Sequence, residues 1–177
     1  MSFARKRNIF DEATLYEYAV GALSRKMRTV AELKRLLRQK TEEALLVDLV
    51  IARLKEQKYL NDHQFAAAYS AYRQSNEKFG KRRVITDLKT KGVHNDVIEK
   101  VVGEAYSGVN EEKLAREHLA RKRLRKPENQ RESARVFRAL LRAGFSSRTI
   151  FAILKKWHVP DETLSALESE EQSLSEE

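Results

Sequence analysis

Apolar residues recur at three- and four-residue steps through most of this chain, the spacing of one buried helical face. The stretch Tyr59 to Val93 shows it best. Asn61 suits an N-cap, Gln64 stands three residues on as in a capping box, and Leu60 can fold over Phe65, so a helix is predicted to start at Asp62. Its inward stripe is Phe65, Ala68, Tyr69 and Tyr72, fading before Ser75 and Asn76. Gly80 allows a turn, and the next helix turns Val84, Ile85 and Leu88 inward before Gly92, a left-handed C-cap position. A third follows His94 and Asn95 with Ile98, Val101, Val102 and Ala105 on one face.

The same three-helix sentence is written before and after. From Ala13 a helix presents Tyr16, Ala19, Val20 and Leu23. Thr29 and Glu32 form a capping box ahead of Leu33, Leu36 and Leu37. Thr41 is predicted to cap a third helix, with Glu42 and Glu43 in its first turn and Val47, Val50, Ile51 and Leu54 buried. Past Gly108, a basic helix over about 111–126 is expected to end at Pro127. Val136, Phe137, Leu140 and Leu141 precede Gly144, and Ser146 or Ser147 caps a last helix carrying Ile150, Ile153, Leu154 and Trp157.

These are repeats. Val84, Ile85, Leu88, Gly92, Ile98, Val101 and Val102 lie 52 places before Val136, Phe137, Leu140, Gly144, Ile150, Ile153 and Leu154, without a gap. Leu33 and Leu36 keep that spacing to Ile85 and Leu88, whereas Val47, Val50 and Ile51 lie 51 before their counterparts, so the turn near Thr41 differs by one residue. The expectation is an all-α chain of three tandem three-helix modules, 12–60, 61–108 and 109–160, forming an elongated, curved helical array. A unit of that size buries little alone, so neighbours must support one another. Residues 1–11 are expected to be a flexible basic arm containing Arg5, Lys6 and Arg7, and 161–177 a disordered acidic tail.

Composition adds partners to this frame. The formal net charge of +9 conceals a split, because Asp161 to Glu177 holds seven acids and no Lys or Arg. The body before it is strongly basic and attracts polyanions. There is no cysteine, hence no disulfide and no thiolate chemistry. No run approaches the roughly 18 apolar residues of a membrane helix, and Met1 to Phe10 lacks a signal-peptide core, so a cytoplasmic protein without membrane contact is expected.

No catalytic set stands out, and no enzyme activity or cofactor is expected. His63, His94, His118 and His158 lack metal-ligand spacing, and there is no glycine-rich phosphate loop. The informative residues are basic. Arg131, Arg135, Arg138 and Arg142, at steps of four, three and four, share one helical stripe turned from the apolar face, with no acid within it. Lys81, Arg82 and Arg83 stand at a helix start, where cations oppose the dipole, which suggests that they and the backbone amides there hold an anion. Arg25 and Lys26, in the basic turn after the first helix, complete the candidate binding residues. Tyr69 and Tyr72 are placed in the core in preference to stacking on bases.

Tyr59, Leu60, Asn61, Asp62, Phe65, Ala66, Tyr69, Gly80, Arg83, Leu88, Lys91 and Gly92 together resemble the signature of the RecX family, bacterial regulators of the RecA recombinase. The resemblance runs from about Ala19 to Trp157, and departs from the family's usual Lys, Gly turn near Thr41. It implies tandem three-helix modules and a monomer that binds the RecA filament on DNA. It further implies reduced strand exchange, ATP hydrolysis and co-protease activity, with weak electrostatic contact to single- or double-stranded DNA. A helix-turn-helix regulator acting directly on DNA is the alternative, but no helix offers the Asn, Gln and Arg mixture of base readout.

Overall fold

The computed structural model describes residues 11–175, so the basic arm lies outside the described residues. Ten helices follow one another: α1 (Glu12–Arg25), α2 (Val30–Leu37), α3 (Ala44–Glu56), α4 (Asp62–Ser75), α5 (Lys81–Thr90), α6 (Asn95–Ala105), α7 (Glu111–Arg121), α8 (Gln130–Arg142), α9 (Ser147–Lys156) and α10 (Asp161–Ser175). The described residues are all-α, and α1 to α9 are three successive triplets. Packing divides the chain into two compact units. One holds residues up to Tyr69 together with Asp87–Val101, and the other Ser70–Thr86 together with Val102 onward.

In the first unit, side-chain caps start α1, α2 and α4. Asp11 accepts the Thr14 amide at 2.8 Å, and Thr29 and Glu32 close the expected capping box. Asn61 accepts the amides of His63 and Gln64, so α4 begins at Asp62 as its sequence dictates. Leu15, Ala19 and Ala22 of α1 meet Leu33 and Leu37 of α2 and Val47, Val50, Ile51 and Leu54 of α3 in one core. Thr29 also donates its hydroxyl to the Lys91 carbonyl at 2.7 Å, and Lys91 pairs with Glu32 at 2.9 Å. Gly92, at φ +75°, lets this junction close, since a Cβ there would stand 2.4 Å from the Ala31 Cβ.

Two local expectations fail in this unit. Thr41 accepts the Glu43 amide within its own turn, so α3 starts at Ala44 with Glu43 at an N-cap position that makes no side-chain cap bond. Ala68 is exposed and Phe65, Ala66 and Ser70 supply the buried contact of α4, because the inward face lies about one position later in the register than the aromatic spacing suggests. Tyr69 stacks on Phe65, with ring centroids 5.8 Å apart, and donates to Asp87.

The second unit is built round Phe137, Phe145, Leu140, Ile150, Ile153 and Leu154, all fully buried. Here Tyr72 is 54% exposed and not core. The helix expected to reach residue 126 ends at Arg121, because Arg123 turns left-handed at φ 55° and the Leu124 amide returns to the Leu119 carbonyl. Ser146 caps α9, accepting the Thr149 amide. The tail expected to be disordered is α10 through Asp161–Ser175. Leu164 and Leu167, one helical turn apart, are 3% exposed and complete the core beneath them. Two well-placed leucines outweigh the acidic composition that surrounds them.

A cationic pocket on the second unit

The four arginines of α8 are all exposed, but they do not act as one stripe. At about 100° per residue they span roughly 60°, with Arg138 at one edge and Arg135 at the other. The edges meet different neighbours. Arg138 forms a two-pronged ion pair with Glu170 of α10, Nε to Oε1 at 2.6 Å and Nη2 to Oε2 at 3.2 Å. The stripe is therefore not free of acids, a correction that follows from the tail being folded. Ser147 donates to Glu171 beside it.

Arg135 and Arg142, at the opposite edge, line a pocket of about 390 Å³ together with Arg83 and Lys122. Phe79, Leu124, Ala139 and Ala143 give it an apolar wall, and no carboxylate lines it. His118 forms part of its floor. The His118 ring lies between Phe79 and Phe145, at 5.8 and 5.9 Å, with Nδ1 3.1 Å from the Glu77 carbonyl. Burial holds its pKa below the ordinary value, so at neutral pH the ring is uncharged and its Nδ1 proton is donated to that carbonyl.

The cations at the start of α5 have a different explanation from the one their sequence invites. Gly80 donates its amide to the Ala143 carbonyl at 2.8 Å, and Arg82 donates to Gly144 at 3.3 Å. The positive end of α5 thus abuts the negative end of α8, and those amides are not an open anion nest. Bringing basic side chains to the carbonyl end of α8 offsets the penalty they carry at their own helix start. Contact is so close that a Cβ on Gly144, at φ +86°, would stand 2.1 Å from the Arg83 amide. Arg83 then passes over the Phe79 ring at 5.8 Å and reaches the pocket.

Lys81 and Arg82 face elsewhere. Lys81 lines a second recess with Tyr106 and Glu111. Tyr106 donates to the Phe79 carbonyl at 2.8 Å, and burial pushes its hydroxyl up to about 12, so it stays a neutral donor. Glu111 is raised by burial, yet hydrogen bonds from Ser146 and Thr149 outweigh this and hold it below the ordinary carboxylate value, with Arg82 adding to the effect. Arg25 and Lys26 lie in the first unit, Arg25 closing α1 and Lys26 following it, both exposed. Arg131 is exposed on α8 and lines no pocket described here.

Sequence reasoning missed Lys122, Phe79 and His118 as pocket members. Lys122 falls inside the helix that the sequence predicts over 111–126 and that ends before it at Arg121, and the other two carry no motif. Several neighbouring cations are answered within the unit: Arg121 by Glu77 at 3.2 Å, Lys78 by Glu117 at 2.9 Å and Lys156 by Glu112 at 2.8 Å. Arg135, Arg142 and Lys122 have no carboxylate partner among the described residues. No group of three His, Asp or Glu side chains among those residues is placed to hold a metal ion, and no helix there is long and apolar enough to cross a membrane.

Comparison with known proteins agrees with the fold. Residues 61–102 match the family model for RecX, second three-helix domain. The regulatory protein RecX of Geobacillus thermodenitrificans is 32% identical over 159 residues, 86% of this chain and 58% of that protein. That of Bacillus subtilis is 31% identical over 142 residues, 78% of this chain and 53% of its own length. The chain therefore spans little more than half the length of these relatives. In fold, it resembles the crystal structure of RecX from Lactobacillus salivarius, with a TM-score of 0.67 at 20% identity over 83% of this chain and 96% of the other. A second crystal structure of a regulatory protein RecX gives the same TM-score at 23% identity, over 82% and 71%. The helical triplets, the signature from Tyr59 to Gly92 and these relatives agree that the chain is similar to the RecX family over most of its length.

Proposed function

We propose that this chain is a regulator that binds the RecA filament on DNA and lowers strand exchange, ATP hydrolysis and co-protease activity. Similarity to the RecX family is the observation that carries this reading, because the relatives are named regulatory proteins RecX and no catalytic constellation among the described residues competes with it. The basic surface supports it. A filament of protein on DNA is a polyanionic assembly, and a face bearing Arg83, Lys122, Arg135 and Arg142 steers toward such a target and adds to affinity at low ionic strength. The chain acts as a monomer, with Arg131, Lys81, Arg82, Arg25 and Lys26 as additional positive contacts.

Co-sedimentation with RecA assembled on single-stranded DNA tests the partner. The chain should pellet with filaments, and pelleting should weaken as salt is raised. Equal pelleting with bare DNA and no effect of RecA on the amount bound would favour a regulator that acts on DNA directly.

A further inference from the structure

The pocket of the second unit contains more information than a basic face. Its four cations converge on a concavity with one apolar wall, and the three arginines present planar forks suited to anions with several oxygens. A single side-chain carboxylate needs only one such fork, as Glu170 demonstrates at Arg138 on the other edge of α8. A phosphate ester brings more acceptor oxygens and attaches them to a sugar and base that can lie on an apolar surface. The pocket volume of about 390 Å³ falls within the range of small-ligand sites, roughly 300–1,000 Å³.

A third recess, apart from the one at Lys81, adjoins the pocket. Leu124 and Arg135 line both, and beyond them Arg123, Arg125 and Lys126 stand around the turn that follows α7. That turn exists because Arg123 adopts a left-handed backbone and breaks the helix, which lays successive basic residues along the surface instead of around a cylinder. Glu128 and Glu132 also line this recess, among a majority of cations.

We propose that this pocket is a phosphate-ester site for a nucleic-acid strand. One backbone phosphate is held among Arg83, Lys122, Arg135 and Arg142, its sugar and base lie against Leu124 and Ala139, and the next phosphate falls on Arg123, Arg125 and Lys126. The continuing track is what favours a strand over a free nucleotide, which would end in the pocket. This deepens the regulatory reading and rests on it for its setting, but the contact itself needs no RecA.

The test is fluorescence anisotropy of a labelled 20-nucleotide thymidine strand with the full chain and no RecA, across a salt series. Arg135→Ala with Arg142→Ala should weaken binding at least about tenfold and reduce the slope of log affinity against log salt by about 1.4, two contacts at roughly 0.7 each. Arg125→Ala with Lys126→Ala should weaken it comparably. Arg148→Ala with Lys155→Ala removes the same charge from α9 and should stay within about twofold of the parent. Far-UV circular dichroism melts confirm that all three variants are folded.

Equal losses in the three double variants would mean that net charge alone is felt, and the site would be abandoned. So would unchanged binding in the Arg135, Arg142 variant, even if that variant had lost inhibition of RecA, an outcome that would leave the regulatory reading standing. Displacement of the strand by ATP at equal phosphate concentration would assign the pocket to a free nucleotide and overturn the strand assignment.

Discussion

Arg138 of α8 and Glu170 of α10 form a two-pronged ion pair, 2.6 and 3.2 Å, that draws an acidic helix onto a basic one. The pair is solvent-exposed, so it adds little to global stability. Its effect is local. Beyond Leu167, the Glu170 and Glu171 contacts tie α10 to α8 and α9.

Glu170→Lys should therefore speed amide exchange in the last two turns of α10 by roughly tenfold without lowering the melting temperature of the unit. It also frees Arg138 and adds a cation, so strand or filament affinity should rise about threefold at low salt. Hydrogen exchange followed by mass spectrometry reads the first effect. Unchanged protection in that segment would show that the ion pair is incidental.

The first half of α10 has the opposite character. Leu164 and Leu167 are buried in the core of the second unit, so Leu167→Ala should destabilise it by about 3 kcal/mol in a urea titration. Deleting the chain from Asp161 onward would then unfold more than a tail. A truncated protein with unaltered stability would contradict the packing described for these leucines.

The close approach of α5 to α8 makes a sharp prediction about two glycines. Gly144→Ala meets a positive φ and the Arg83 backbone at once and should cost about 3 kcal/mol, lowering the melting temperature by roughly 6–12 °C. Gly103→Ala, in the interior of α6 with no atom within 4 Å of an added Cβ, should gain about 0.5–1 kcal/mol. Thermal melts of the two variants suffice. Similar melting temperatures for both would remove the proposed contact.

His118 gives the second unit a pH dependence of definite sign. Burial lowers its folded-state pKa below the unfolded value near 6.5, so the unfolded chain binds a proton that the folded unit resists. Its contribution is fully present above pH 6.5 and is lost as pH falls below that value. Stability should decline as pH falls below 6.5, and His118→Gln should flatten that limb. An identical decline in the variant would place the effect on other groups.

Much of this fold was legible in the chain because its signals are local. The Thr29 and Glu32 box, the Asn61 cap and the glycines at 92 and 144 each act within one turn, and the 52-residue spacing repeats them. Where local chemistry is ambiguous the sequence misled: Arg123 terminates α7 without glycine or proline, and Leu164 with Leu167 are hidden among acids. The pocket could not be read at all. Its members at 79, 83, 118, 122, 135 and 142 come from three separate stretches, joined only when the amides of Gly80 and Arg82 dock on the carbonyl end of α8. The same docking removed the open helix start that Lys81, Arg82 and Arg83 suggested.

The central claim, that a positive face of the second unit meets a RecA filament, is tested most directly by RecA-catalysed ATP hydrolysis on single-stranded DNA, titrated with this protein. The parent chain should inhibit at less than one molecule per RecA protomer, and a folded Arg135→Ala, Arg142→Ala variant should need at least about tenfold more. Inhibition by that variant at the parent's concentrations would contradict the assignment of this face, and hydrolysis unaffected by the parent chain at any concentration would contradict the regulatory function itself.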